Sequence, residues 1–218
     1  YPSSIDWELV SDVYGAVYYW DGAAYVAYPA GEPIPGGGTY GTGSQYVPPM
    51  QGFFIVVPDG DPNSFTFTNA MRTHSGATDY YKSPKSLPDG IMLYADNGSY
   101  QDKLLIRLND DATENMELDR DAWKFPTSTE GLSQLWSVSP DGNLSIDVRP
   151  ETETIQLGFS NNQNGTYSIG ISQIANISFA ELEDTKLNQF HNLSTGAYQF
   201  DWNTNDSEER FILHLKAT

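Results

Sequence analysis

Apolar and polar residues alternate in short runs along most of the chain, which is the pattern of half-buried β-strands. The runs are rich in β-branched and aromatic residues, whose side chains favour a pleated backbone. The predicted strands are Val13–Trp20, Gln51–Val57, Ser64–Thr68, Lys103–Leu108, Leu132–Val138, Leu144–Val148, Thr154–Phe159, Thr166–Ile171, Ile177–Glu183, Ala197–Trp202 and Arg210–Leu215.

Turn sequences separate these runs, because Gly, Asn and Asp adopt positive φ at little cost. They are Asp21-Gly22, Asn97-Gly98, Asn164-Gly165 and the Pro-Asp-Gly triplets at 58–60, 88–90 and 140–142. The best helical window, Asp110–Trp123, has no apolar stripe at helical spacing, so we predict a loop there. The pattern as a whole predicts an antiparallel all-β protein with little helix.

A polar segment with prolines at residues 82–90 divides the chain by composition. The part before residue 86 is rich in Tyr, Gly and Pro and has 8 acidic and 3 basic residues, against 21 and 8 afterwards. We therefore predict two antiparallel β-sandwich domains of jelly-roll or immunoglobulin-like type. Residues 1–85 would form an aromatic, Gly-rich module, and residues 86–218 an acidic sandwich.

The composition excludes several classes of partner. The 218 residues include 29 acidic and 11 basic side chains and no cysteine, giving a formal net charge of −18. A surface of this charge repels nucleic acids and anionic lipids. The lack of cysteine excludes disulfides and thiolate metal sites. No apolar run approaches the ~18 residues of a membrane-spanning helix, so we predict no transmembrane segment.

Several segments together resemble a known group of proteins. In the first part these are Tyr1–Trp7, Val17–Gly22, Val47–Ile55, Phe65–Thr68 and Met71–His74, and in the second Leu105–Leu108, Asp119–Lys124, Leu135–Ser137, Ile155–Phe159 and Arg210–Leu215. The chain resembles the C-terminal β modules of secreted and cell-surface proteins of bacteroidete bacteria that are exported by the type IX secretion system. Pro48–Phe54 is the most specific piece of this resemblance.

The resemblance implies a bacterial protein that is extracellular or displayed at the cell surface. In that group a strand precedes the Tyr-Pro-Ser sequence, and a linker and a sorting domain follow the second module. The resemblance therefore implies that the chain is a piece of a longer protein and that the module of residues 1–85 is incomplete at its N-terminus. The implied role is structural or adhesive, through contacts with other protein segments or with surface glycans.

No arrangement of residues predicts catalysis, so we name no catalytic residue and expect no enzymatic activity. Glu181 and Glu183 lie on one face of a predicted strand, as paired glycosidase carboxylates can. The strand signature of common jelly-roll glycosidases is missing, however. A glycoside hydrolase therefore ranks below a carbohydrate-binding accessory domain among the alternatives.

The acidic segment 109–121 offers oxygen ligands of the kind that Ca²⁺ prefers. Its candidate calcium ligands are Asp110, Asp111, Asp119 and Asp121. Their spacing is not that of an EF-hand loop. The alternative is a solvated loop in which Asp119 or Asp121 accepts hydrogen bonds from backbone amides.

Exposed aromatic rings suggest a binding surface, because flat rings stack on sugars and on partner proteins. If Tyr18 and Trp20 face the core, strand alternation turns Tyr19 outward. Tyr40 and Tyr46 lie in the Gly-rich segment 29–49, which we expect to be exposed. Tyr19, Tyr40 and Tyr46 are thus the predicted residues for binding a glycan or a protein partner.

Overall fold

A computed structural model describes residues 3–10, 14–22, 24–29, 43–57, 65–74, 89–127 and 129–218. These residues form an all-β fold with short 3₁₀ turns and no α-helix. The strands are β1 (Ser4–Asp6), β2 (Val17–Trp20), β3 (Tyr25–Tyr28), β4 (Tyr46–Val47), β5 (Phe54–Ile55), β6 (Arg72–Thr73), β7 (Gly90–Asp96), β8 (Gln101–Leu108), β9 (Ala122–Trp123), β10 (Gln134–Ser139), β11 (Gly142–Arg149), β12 (Thr154–Ser160), β13 (Gly165–Ala175), β14 (Ile177–Asp184), β15 (Gln189–Asn192), β16 (Tyr198–Trp202) and β17 (Phe211–Ala217).

The strands after residue 89 form one large, nearly closed sheet, which we call the rolled sheet. Its strand order is β15-β14-β17-β12-β10-β11-β8-β7-β13-β16, and β9 pairs with β11. All of its pairings are antiparallel except that of β8 with β11. The two outermost strands, β15 and β16, follow each other in sequence through a 3₁₀ turn at Leu193–Thr195, so the chain itself joins the two edges.

The inner face of the rolled sheet encloses the main apolar core. Strand alternation turns one residue in two inward, and aromatic rings fill the centre. Phe159 packs edge-on against Phe200 and Trp202, with ring centroids 5.0 and 4.9 Å apart. On the outer face, the Trp136 indole lies over Gly158. A Cβ at Gly158 would fall 1.9 Å from the indole nitrogen, so this position requires glycine.

The strands before residue 75 form two small sheets. The end sheet has the order β4-β1-β6 and the middle sheet the order β3-β2-β5. A second core lies between them, built on Trp7, Tyr19 and Tyr28. The buried Trp7 indole donates a hydrogen bond to the carbonyl of Gly15, 2.8 Å away. The other face of the middle sheet packs against the outer face of the rolled sheet.

This docking forms a third core. Tyr18 and Ala27 of the middle sheet contact a cluster that includes Met92, Leu105 and Ile146 of the rolled sheet. The Tyr18 hydroxyl accepts a hydrogen bond of 2.9 Å from the backbone amide of Trp123. The two parts of the chain therefore share a buried interface.

The all-β class is confirmed, and the predicted strands after residue 100 match the observed ones closely. The prediction for Ser64–Thr68 is wrong for residues 65–68, which form no strand. Strand β7 was not predicted, because both of its faces are buried and its sequence does not alternate. The sheet order does not confirm two sandwich domains, and the predicted boundary at residues 85 and 86 lies outside the described residues.

Candidate functional site

The middle sheet is covered on both faces, which decides where its aromatic side chains lie. Along β2, Tyr18 faces the rolled sheet and Tyr19 faces the core beneath the end sheet. Tyr19 is only 5% exposed, and its hydroxyl donates to the carbonyl of Ser44. The prediction that Tyr19 faces outward is therefore wrong. Alternation correctly places Tyr18 and Trp20 on the same face, yet both faces of the strand are covered at Tyr18 and Tyr19.

Two exposed and two half-buried aromatic rings gather at the end of the middle sheet where β2 and β3 meet. We call Trp20, Tyr25, Phe54 and Phe125 the aromatic rim. Tyr25 is its centre, since its ring contacts Trp20 at 5.1 Å and both Phe54 and Phe125 at 5.6 Å between centroids. Trp20 is 38% and Phe54 52% exposed. The rim thus presents large apolar surface to solvent while its rings hold one another in place.

Both parts of the chain contribute to the aromatic rim. Trp20 and Tyr25 are a cross-strand pair of β2 and β3, and Phe54 lies on β5. Phe125 follows β9 of the rolled sheet and also packs against Tyr18, with 4.3 Å between ring centroids. The rim therefore exists only when the middle sheet is docked.

A polar contact fixes the turn beside the rim. The Tyr100 hydroxyl, from the turn between β7 and β8, donates to Oδ2 of Asp21 over 3.0 Å. The other carboxylate oxygen, Oδ1, accepts from the amide of Ala24. Burial, together with the charge of Asp21, raises the pKa of Tyr100 well above its usual value. Tyr100 therefore stays neutral and keeps its proton for this hydrogen bond.

The remaining predicted ring positions lie elsewhere. Tyr46 is half-buried on β4 of the end sheet, where it pairs with Asp6. Tyr40 lies outside the described residues. The residues predicted from the sequence included none of the four rim residues, Trp20, Tyr25, Phe54 and Phe125. Trp20 directly precedes the Asp21-Gly22 turn, and a residue at the end of a strand can extend past the sheet that covers its neighbours.

Asp121 ties the acidic loop to the rolled sheet. Its side chain is fully buried, and its two oxygens accept hydrogen bonds of 2.7 Å from the amides of Val148 and Glu117. Burial raises the pKa of Asp121 to about 7; the two amide bonds lower it, and the nearby carboxylate of Asp147 raises it. This is the backbone-amide role that the sequence offered as the alternative to calcium binding.

The other three candidate calcium ligands do not gather around Asp121. Asp110 and Asp111 are exposed, and Asp119 lies 3.6 Å from Arg120. Across the part of the chain that the structure describes, no group of three or more His, Asp or Glu side chains could hold a metal ion. Calcium binding stays a prediction, which a thermal scan with millimolar Ca²⁺ tests.

The chain matches one protein family along almost its whole length. That family is described as a domain of unknown function, DUF8693, and the match covers residues 1–215. The chain belongs to DUF8693. No curated protein and no solved structure shows a significant match to it.

The DUF8693 match includes the end sheet, the middle sheet and the rolled sheet. All four residues of the aromatic rim therefore lie within the family's own bounds. In the described ranges, this DUF8693 chain has no helix that is both long and apolar enough to span a membrane.

Among the residues that the structure describes, several ion pairs of this DUF8693 chain are internal. Arg210 binds Asp184 inside the rolled sheet, and Lys124 contacts Asp102. Arg149 pairs with Asp147, which is also buried. These basic side chains neutralise buried carboxylates, although the chain as a whole has more acidic than basic residues. The solvent-facing surface is correspondingly acidic, and the aromatic rim is an apolar area on that surface.

The two glutamates considered as glycosidase carboxylates lie on the outer face of β14. Glu183 contacts His214 of β17, with 2.8 Å between the carboxylate oxygen and Nε2. Glu181 stands opposite His214 and Asn192 in the strand pairing. This cross-strand arrangement accounts for both side chains as members of a polar sheet face.

Proposed function

We propose that this chain is a non-catalytic contact module of a secreted or surface-displayed bacterial protein, and that the aromatic rim is its contact surface. The observation that carries the proposal is the exposure of Trp20 and Phe54 in a cluster of four touching rings. The resemblance to exported bacteroidete modules supports the secreted location. The division into two sandwich domains belongs to the same proposal.

The physical argument concerns what such a cluster does when it is covered. Aromatic side chains are enriched at the centres of protein interfaces, where they bury large areas with few rotatable bonds. Tyr25 holds its three neighbours in fixed contact, so little side-chain entropy remains to be lost on binding. The formal charge of −18 on the whole chain favours a partner surface that is neutral or basic.

The experiment compares two phenylalanines of similar exposure. Phe54 of the rim is 52% exposed, and Phe190 on the edge strand β15 is 55% exposed. Purified, fluorescently labelled chain is incubated with whole cells of the bacterium that encodes it, and the bound fraction is measured after sedimentation. We expect Phe54→Ser to reduce binding at least tenfold and Phe190→Ser to leave it unchanged. Equal binding by wild type and Phe54→Ser would remove the rim from the proposal.

Location is tested separately on the same cells. An antibody against the chain should label intact cells, or detect the chain in the medium, as readily as it labels permeabilised cells. Labelling only after permeabilisation would contradict a secreted or surface location, whatever the binding assay shows.

A carbohydrate-binding module is the second candidate, and the exposed Trp20 ring favours it because indole faces stack on sugars. Affinity electrophoresis against a panel of soluble polysaccharides separates the two candidates. A retardation that Trp20→Ser abolishes would assign the rim to a glycan. Binding to cells without any retardation would favour a protein partner. Release of reducing sugar from the same panel would revive the hydrolase alternative.

A further inference from the structure

Lys124 and Asp102 form an ion pair that is almost completely removed from water. Nζ of Lys124 is in direct contact with Oδ2 of Asp102, and the two side chains are 6% and 5% exposed. Each charge of this pair is therefore compensated by the other group rather than by water.

This pair differs from the other ion pairs in the described part of the chain. Arg210 and Arg149 use guanidinium groups, which stay protonated and do not act as nucleophiles. Lys186 offers an amine to Asp206, but its side chain is 46% exposed. Only Lys124, among the described lysines, places a buried amine against a buried carboxyl group.

The backbone holds both members of the pair in position. The amide of Lys124 donates to the carbonyl of Asn143 over 2.8 Å, which fixes the start of the lysine side chain. The amide of Leu135 donates to Oδ2 of Asp102 over 2.7 Å. An N–H group aimed at a carboxyl oxygen stabilises the negative charge that develops there when a nucleophile adds to the carbon. Fixed proximity of amine and carboxyl also replaces a bimolecular encounter.

We propose that Lys124 and Asp102 condense into an intramolecular isopeptide bond. Nζ forms a bond to Cγ of Asp102, and the bond between Cγ and Oδ1 breaks. The ammonium group loses two protons, and the departing oxygen leaves with them as water. Atoms and charge balance without any co-reactant, because an ammonium and a carboxylate become one neutral amide and one water molecule.

The cross-link would connect two places that are distant in sequence but close to the rim. Asp102 lies on β8, and Lys124 directly follows β9 and directly precedes Phe125. The bond would tie the segment that carries Phe125 covalently to strand β8. The floor of the aromatic rim would then be anchored against mechanical or thermal displacement.

Intact mass spectrometry of the denatured protein tests the proposal. We expect the folded wild-type chain to be one water molecule lighter than its sequence mass. Trypsin does not cleave after an acylated lysine, so digestion should give a branched peptide. It would join the segment that ends at Lys103 to the segment that begins at Asp121.

Matched variants separate the cross-link from other losses of water. Lys124→Arg should have its full sequence mass, and Lys186→Arg should still lack one water. Asp102→Asn should instead lose ammonia and reach the same final mass as the wild type, because both reactions give the same amide. A folded wild-type chain with its full sequence mass and no branched peptide would overturn the proposal and leave an ion pair.

Discussion

The rolled sheet and the two small sheets bury their apolar side chains in different ways. The rolled sheet has strands of up to eleven residues, and they enclose a core of their own. No strand of the small sheets is longer than four residues among those that the structure describes. The middle sheet buries one face only by docking against the rolled sheet.

The difference indicates which part supports the other. Short strands bury too little apolar area to be stable alone, so the middle sheet depends on the surface that receives it. The rolled sheet also contains the buried pair of Arg210 and Asp184, which joins the end of β14 to the residue before β17. The aromatic rim lies where the middle sheet meets the rolled sheet, and both sheets contribute rings to it.

The largest expected effect concerns the ion pair inside the rolled sheet. Burial alone would raise the pKa of Asp184, but hydrogen bonds from Arg210 and Tyr198 hold it below its usual value. Arg210→Ala leaves this buried carboxylate without its counterion and should lower the free energy of unfolding by about 3 to 5 kcal/mol. Urea denaturation measures the loss. Lys186→Ala, at an exposed pair, should cost less than about 1 kcal/mol, and equal losses would contradict the account.

The second effect is a pH dependence that originates at Asp121. Its folded-state pKa of about 7 exceeds the ordinary value of 3.8, so between these values the folded chain binds a proton that the unfolded chain lacks. Stability should therefore rise as the pH falls from about 7 to 4, by about 3 kcal/mol. Below that window, protonation of Asp184 removes stability, because its pKa is lowered in the fold.

Thermal scans across this pH range, with Asp121→Asn as the control, check the prediction. The variant lacks the titrating group and should show a shallower rise. Relief of repulsion among the remaining carboxylates accounts for what is left of the slope. A wild-type stability that is flat or falls between pH 7 and 5 would contradict the role of Asp121.

The third effect probes the docked face itself. Tyr18→Phe keeps the ring but removes the oxygen that accepts from the Trp123 amide. An amide left without a partner in a buried interface costs about 1 to 3 kcal/mol, which urea denaturation should detect. Tyr19→Phe is the matched control, since its hydroxyl donates to a carbonyl within the first part of the chain. We expect Tyr18→Phe alone to increase protease cleavage in the middle sheet.

The smallest effect on stability is expected at the rim. Phe54→Ser removes an exposed ring and should change the free energy of unfolding by less than about 1 kcal/mol. Guanidinium denaturation gives this value for the same preparation that is used for cell binding. A large loss of stability would mean that Phe54 supports the fold, and the binding result would then need a milder substitution such as Phe54→Leu.

The sequence predicted most strands of the rolled sheet because their alternation and their turns are local properties. It did not predict β7, because both faces of this strand are buried and its apolar run does not alternate with polar residues. The parallel pairing of β8 with β11 depends on contacts between residues about forty positions apart, such as Leu105 with Ile146. Local periodicity contains no information about such pairing.

The candidate site shows the same limit. Alternation placed Tyr18 and Trp20 on one face correctly, but only the docking of two sheets reveals that Tyr19 is buried and that Trp20 reaches solvent. Phe125 joins the rim from a distant part of the chain, so no spacing rule could have included it. For Asp121, the sequence predicted hydrogen bonds from backbone amides as one alternative. Only the fold shows that the amide of Val148 is one of the donors.

Hydrogen exchange tests the dependence of the middle sheet on docking most directly. Exchange rates are measured by mass spectrometry for wild type and for Tyr18→Ala, in peptides covering residues 17–28 and residues 155–171. We predict that Tyr18→Ala accelerates exchange in the middle sheet by tenfold or more and leaves the rolled sheet protected. Unchanged protection of residues 17–28, or equal loss in both regions, would contradict the account.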